Sequence, residues 1–320
     1  MDPTSLDLGA LHPQVRALLD AAGTEDDEAG PPDIAAERAA YLDTTLRLGG
    51  AAEPVADVVA LVVPSGDARL PAALYVPQHE PDTTGLIVWL HGGGWYVGDI
   101  PTFDRVARAL ANASGQKVLL VEYRLAPEHC FPEQVHDADA TVRWARSAAG
   151  AQQLGIDPAR VIVGGDSAGG QLAAVAIRHA RTDGLPAPVA QLLVYPALDP
   201  AMDSDAYRRF AEGPMLTAAD MERCWDFYRA GRDGDDPDLA VLAATDRDGL
   251  PPTWIAVAGQ DPVRDDGRRY AAALQAAGVA VTEVVFDDMV HGFLRWGGVV
   301  DRTRELLDWL GRAARESLAA

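Results

Sequence analysis

Val161-Ile162-Val163-Gly164-Gly165-Asp166-Ser167-Ala168-Gly169-Gly170 decides how this chain folds. Val161–Val163 is a short apolar, β-branched run, as a buried strand requires. An alanine-rich stretch with helical character, 168–182, follows. Between them lies Gly165-Asp166-Ser167-Ala168-Gly169, a G-x-S-x-G sequence in a strand–turn–helix context. Such a sharp turn lifts the serine side chain above the sheet. Glycine at both flanks lets strand and helix backbones approach without Cβ clashes. The helix N-terminus offers N–H groups to developing negative charge. The other six serines of the chain have no comparable setting.

Working outward, the same alternation recurs. Apolar runs at 86–90, 117–121, 189–195, 253–258 and 280–286 read as strands. Helical stretches fall at 102–113, 134–149, 264–277 and 301–317. Near-continuous apolar strands alternating with helices predict an α/β fold with a mainly parallel sheet covered on both faces. Runs at 55–63 and 69–76, separated by Pro64-Ser65-Gly66-Asp67, predict a leading hairpin. Helices are expected at 11–20 and 34–47, with an acidic loop near 23–33. The interval between the strands at 189–195 and 253–258 is too long for one crossover. It contains Thr217-Ala218-Ala219-Asp220, a capping-box sequence, and Leu216, Met221, Trp225 and Tyr228 at helical spacing. That stripe fits core packing, and it also fits a lid over the serine.

His91-Gly92-Gly93-Gly94-Trp95 directly follows the strand at 86–90. Three consecutive glycines leave backbone N–H groups open to a substrate, as an oxyanion hole needs. A phosphate cradle fails on spacing, with neither Gly-Lys-Ser/Thr nor G-x-G-x-x-G opening a helix. Of seven histidines, His291 follows the strand at 280–286, where loops share the edge that carries Ser167. His91 belongs to the glycine loop and reads as structural. His12, His79, His129, His136 and His179 suit surface or packing roles. The orienting acid should lie between serine and histidine. Asp261 ends the strand at 253–258 on that edge, while Asp265, Asp266, Asp287 and Asp288 compete with it.

The net charge of −21 and the lack of any Lys/Arg-rich stretch argue against nucleic acid as a partner. One lysine, Lys117, stands against 26 arginines, which reads as a compositional habit. Cys130 and Cys224 are distant and form no CxxC pair, so a reducing compartment is expected. With no secretory pattern and no apolar run of about 18 residues, the expected location is the cytoplasm, with no membrane association.

HGGGW (91–95), YRLAPEHCFP (123–132), GDSAGG (165–170), YPALD (195–199), DPVRDDG (261–267) and HGF (291–293) occur in the order found in one family. The chain resembles the hormone-sensitive-lipase-like, or bacterial type IV, esterases in their GDSAG branch. This resemblance spans about residues 85–295, and LHPQVRALLD (11–20) is similar to the family's opening helix. It implies an α/β-hydrolase fold with a helical cap. The implied layout is 1–50 as N-terminal cap helices, 51–200 and 236–320 as two parts of the core, and 201–235 as a cap insertion. It also implies a carboxylesterase acting on short- to medium-chain esters through an acyl-enzyme. Ser167 would be nucleophile, His291 base and Asp261 orienting acid, with the N–H groups of Gly93, Gly94 and Ala168 as oxyanion donors. Trp95, Tyr96, Met215, Leu216 and Trp225 would wall the substrate pocket. Glu122 stands where the family has aspartate, which should alter local hydrogen bonding rather than chemistry. No metal or organic cofactor is implied, the expected partner is a small ester, and a homodimer stays open. Two other readings are a dedicated deacetylase, lactonase or amidase, and, more remotely, a non-catalytic receptor such as the plant gibberellin receptors that resemble the family. An intact base at His291 favours the enzyme.

Overall fold

The computed structural model describes residues 10–22, 33–81, 84–181 and 183–319. Most of the acidic segment read as a loop, residues 23–32, lies outside them. Eight strands form one sheet: β1 (Asp57–Ser65), β2 (Ala68–Val76), β3 (Leu86–Leu90), β4 (Lys117–Val121), β5 (Val161–Asp166), β6 (Ala190–Val194), β7 (Thr253–Gln260) and β8 (Val281–Val290). Their spatial order is β1-β2-β4-β3-β5-β6-β7-β8. β2 runs antiparallel to both neighbours, and β4 through β8 pair in parallel. Every residue of β3, β5 and β6 is buried, which is why, apart from Asp166 and Gln191, these strands carry no polar side chain and do not alternate.

Ten α-helices are described: α1 (Pro13–Ala22), α2 (Ile34–Leu48), α3 (Ile100–Ser114), α4 (Glu133–Arg146), α5 (Ala148–Leu154), α6 (Ala168–Ala180), α7 (Asp205–Arg209), α8 (Ala218–Arg229), α9 (Arg264–Ala276) and α10 (Asp301–Ala319). None is long and apolar enough to cross a membrane. The capping box expected at Thr217 is formed. Its hydroxyl accepts from Asp220 N at 3.0 Å, and the Asp220 carboxylate accepts from Thr217 N at 3.0 Å. Met221, Trp225 and Tyr228 bury one face of α8.

Two expectations are corrected. The helix expected at 134–149 breaks at Ser147, whose backbone is extended. The Ser147 hydroxyl accepts from Gly150 N at 3.1 Å and donates to Trp144 O at 2.7 Å. Starting a second helix there satisfies an N-terminal donor that a continuous helix would not have. The last strand runs on to Val290 rather than stopping at 286. Its polar Asp287-Asp288 is tolerated at a sheet edge, where Asp288 pairs with Arg302 at 3.0 Å. The β7–β8 register shifts between Ala258↔Phe286 and Gln260↔Val290. That irregularity bends the strand ends and delivers residue 291 beside residue 261.

His179 is more than a packing residue. It lies between the carboxylates of Asp139 (2.7 Å) and Asp238 (3.0 Å) and joins α6 to α4. Hydrogen bonding to these two acids raises its pKa to about 9.

Candidate functional site

Ser167 sits between β5 and α6 with φ 53°, a left-handed conformation unusual for a residue with a side chain. The turn closes only because Gly169 lacks a Cβ, which would strike the Leu90 carbonyl. The Ser167 hydroxyl lies 2.8 Å from His291 Nε2, and His291 Nδ1 lies 2.7 Å from Asp261 Oδ2. Asp261 is fully buried, and its other oxygen accepts from Val263 N at 2.9 Å. The imidazole lies against the Tyr195 ring, with centroids 4.6 Å apart.

Three of the four competing carboxylates are engaged elsewhere, and none of the four bonds His291. Asp265 accepts from Ala206 N at 3.0 Å and pairs with Arg264. Asp266 accepts from Leu198 N at 2.9 Å, and burial pushes its pKa well up. Asp288 holds Arg302, and Asp287 offers its carbonyl to the Gln260 side chain.

Gly93 has φ 124°, open to glycine and strained for other residues. Its carbonyl accepts from Tyr96 N and Val97 N, which curls the loop. Among the described residues, the N–H groups of Gly93, Gly94 and Ala168 donate to no protein acceptor. Asp166 pins this loop to the elbow by accepting from Gly92 N at 3.0 Å and Trp89 Nε1 at 3.3 Å. Burial raises the Asp166 carboxyl to about 6. Sequence reading passed over this residue as the variable position of the elbow. Its place at a strand end, facing a glycine loop, is the signal that could have found it.

His91 is buried, stacked on Tyr123 at 4.3 Å, and contacts the Gly92 carbonyl through Nδ1. Burial lowers its pKa to about 4, which keeps it neutral. Glu122 accepts from Ile100 N at 3.1 Å and so anchors the start of α3, away from the serine.

A cavity of about 250 Å³ opens over Ser167 and His291. Tyr96, Met215 and Leu216 line it as expected, together with Tyr41 of α2 and Met221 and Cys224 of α8. Trp95 and Trp225 do not line it. Trp95 has φ 62°, and its ring stacks flat on Tyr228 at 4.5 Å and against Trp225 at 4.3 Å. Its indole N–H donates to Gln171 at 3.1 Å. The pair therefore forms a buried support beneath α8 rather than a pocket wall. Helix α2 is fixed over the cavity by Arg38, which donates to Tyr96 O and Ala126 O and pairs with Glu128 at 2.7 Å. The Tyr96 hydroxyl donates to Glu37 at 2.8 Å.

This geometry agrees with the comparisons. Residues 87–295 match a family described as having the alpha/beta hydrolase fold. The chain is 41% identical over 266 residues to the carboxylic ester hydrolase LipN of Mycobacterium tuberculosis, covering 79% of this chain and 70% of that protein. It is 39% identical to the carboxylesterase NlhH of the same organism, over 74% of this chain and 75% of that one. Among solved structures, an ester-hydrolase from the Lake Arreo metagenome, complexed with a bipyridine phosphonate derivative, superposes with a TM-score of 0.90. The two are 34% identical, and the match covers 97% of this chain and all of that one.

Proposed function

Since the chain belongs to the α/β-hydrolase-fold family, among its hormone-sensitive-lipase-like carboxylic ester hydrolases, we propose that Ser167, His291 and Asp261 carry its ester hydrolysis. The observation that supports this most is His291 bonded at once to Ser167 and Asp261, at the floor of a cavity. His291 takes the hydroxyl proton as Ser167 Oγ attacks the ester carbonyl. The N–H groups of Gly93, Gly94 and Ala168 receive the oxyanion. His291 then protonates the departing alcohol, and an acyl-Ser167 remains. Water attacks the acyl carbon with His291 as base, which releases the acid and restores the serine. Asp261 holds the imidazole tautomer and stabilises its protonated form.

Helices α2 and α8 serve as a cap, drawn from segments 1–50 and 201–235. Their side chains enclose the cavity on the side away from the sheet. Among the described residues both Cys130 and Cys224 are free thiols, which supports a cytoplasmic home.

The enclosed cavity favours short to medium acyl chains. Each methylene that becomes buried contributes about 0.8 kcal/mol, or about fourfold in kcat/KM. Values should climb from aryl acetate towards butyrate or hexanoate, and the gain should stop by roughly eight carbons. An aryl ester series, run with and without emulsified triglyceride, measures this. A best substrate at sixteen carbons, or a rate jump on the emulsion, would contradict the enclosed acyl pocket.

A further inference from the structure

A cation without a counter-ion stands in the wall of the reaction cavity. Arg295 closes the 3₁₀ turn Phe293–Arg295, four residues after His291, and is only 9% exposed. Its guanidinium lies 4.0 Å from the centre of the Tyr41 ring and donates to the Thr45 hydroxyl. Its Nε has no hydrogen-bond partner, and among the described residues no carboxylate lies within ion-pair distance.

Two other arginines have carboxylate partners, whereas the half-buried Arg105, Arg160 and Arg247 bond backbone carbonyls instead. Arg146, fully buried, makes a two-pronged pair with Asp183 at 3.0 and 3.1 Å. Arg223, in the same cavity wall as Arg295, has Glu37 at 3.3 Å and Asp220 at 3.8 Å. Two carboxylates face the cavity, and each is engaged elsewhere. Asp220 closes the Thr217 capping box. Asp166 accepts from Gly92 and Trp89, and Arg295 influences it only through space. A buried cation is ordinarily matched by an anion, and Arg295 lines the same cavity as Ser167. On its far side Arg295 also borders a smaller cleft of about 110 Å³.

We propose that Arg295 receives a carboxylate of the substrate, so that the favoured esters are anionic: half-esters of dicarboxylic acids or acyloxy carboxylic acids. The proposal rests on the serine esterase reading above and narrows it to a substrate class. Guanidinium suits this task because its planar fork matches a carboxylate and stays charged at every working pH. The net charge of −21 slows the approach of an anion but is screened beyond about 8 Å at physiological ionic strength. Inside the cavity, Arg295 is the one cation of the wall without a carboxylate at ion-pair distance among the described residues. Hydrolysis is unchanged: water adds across the acyl–oxygen bond to give acid and alcohol, and the second carboxylate is not altered.

The test compares each anionic ester with a neutral ester of matched length. Monoethyl glutarate against ethyl pentanoate places the carboxylate on the acyl side. 4-Acetoxybutanoate against butyl acetate places it on the alcohol side. The readout is the ratio of kcat/KM within a pair, at pH 7.5 in a pH-stat, so that a general loss of activity in a variant cancels. Wild type should favour the anion by more than tenfold in one pair. In R295Q that ratio should fall to one or below, and R295K should keep part of it. A wild-type ratio under ten in both pairs overturns the proposal even if R295Q fails to fold. A preference that survives R295Q overturns it as well. Turnover of the neutral esters by wild type separates this failure from failure of the esterase reading.

Discussion

Replacing Ser167 with alanine should leave a folded protein that hydrolyses an aryl butyrate slower by roughly 10⁴-fold or more. The hydroxyl is the group in bonding contact with His291 Nε2, and the proposed acyl-enzyme needs it. Serine and alanine both carry a Cβ, so the strain at φ 53° is the same in either protein. The lost hydrogen bond costs about 1 kcal/mol of stability. Turnover measured beside circular dichroism and a thermal melt separates chemistry from folding. The remaining rate would come from the oxyanion donors and substrate positioning alone. A folded S167A with near-normal turnover would contradict the assignment of the nucleophile.

Asp261→Asn should lower kcat by about 10⁴-fold, because the tautomer of His291 depends on this carboxylate. Asp261 accepts the Nδ1 proton at 2.7 Å, which leaves Nε2 free to accept from Ser167. An asparagine amide can donate to Nδ1 instead, which moves the ring proton to Nε2 and blocks the base. Asp265→Asn, Asp287→Asn and Asp288→Asn touch no atom of His291 or Ser167, and each should stay within about tenfold of wild type. Parallel kinetics of the four variants on one aryl ester decide the matter. Asp287→Asn or Asp288→Asn as the most damaging change would show the acid to be misassigned.

Much of this arrangement could be read from residue order. The strands at 86–90 and 117–121 were legible to the residue, since the first is apolar and buried throughout and the second is so after Lys117. Ser167 was legible because a strand–glycine–serine–glycine–helix sequence permits little besides a sharp turn. The aspartate that meets His291 was not, since four others lie near in sequence and the β7–β8 irregularity is what brings Asp261 there. Trp95 misled because its left-handed backbone turns the ring into the α8 support, a direction no pattern of hydrophobicity encodes. Tyr41 and Arg295 escaped notice because 254 positions separate them and neither belongs to a motif, yet the fold stacks them in one wall. The end of β8 was hidden by Asp287 and Asp288, polar residues that an edge strand accommodates.

The most direct measurement is covalent capture of the nucleophile with an aryl phosphonate ester, followed by intact mass and peptide mapping. Wild type should gain one phosphonyl group per chain, located on Ser167, with ester turnover lost in step. S167A should gain none, and Asp261→Asn should react far more slowly. A label on another residue, a label that S167A acquires at the wild-type rate, or full turnover after stoichiometric labelling would contradict an acyl-enzyme at Ser167.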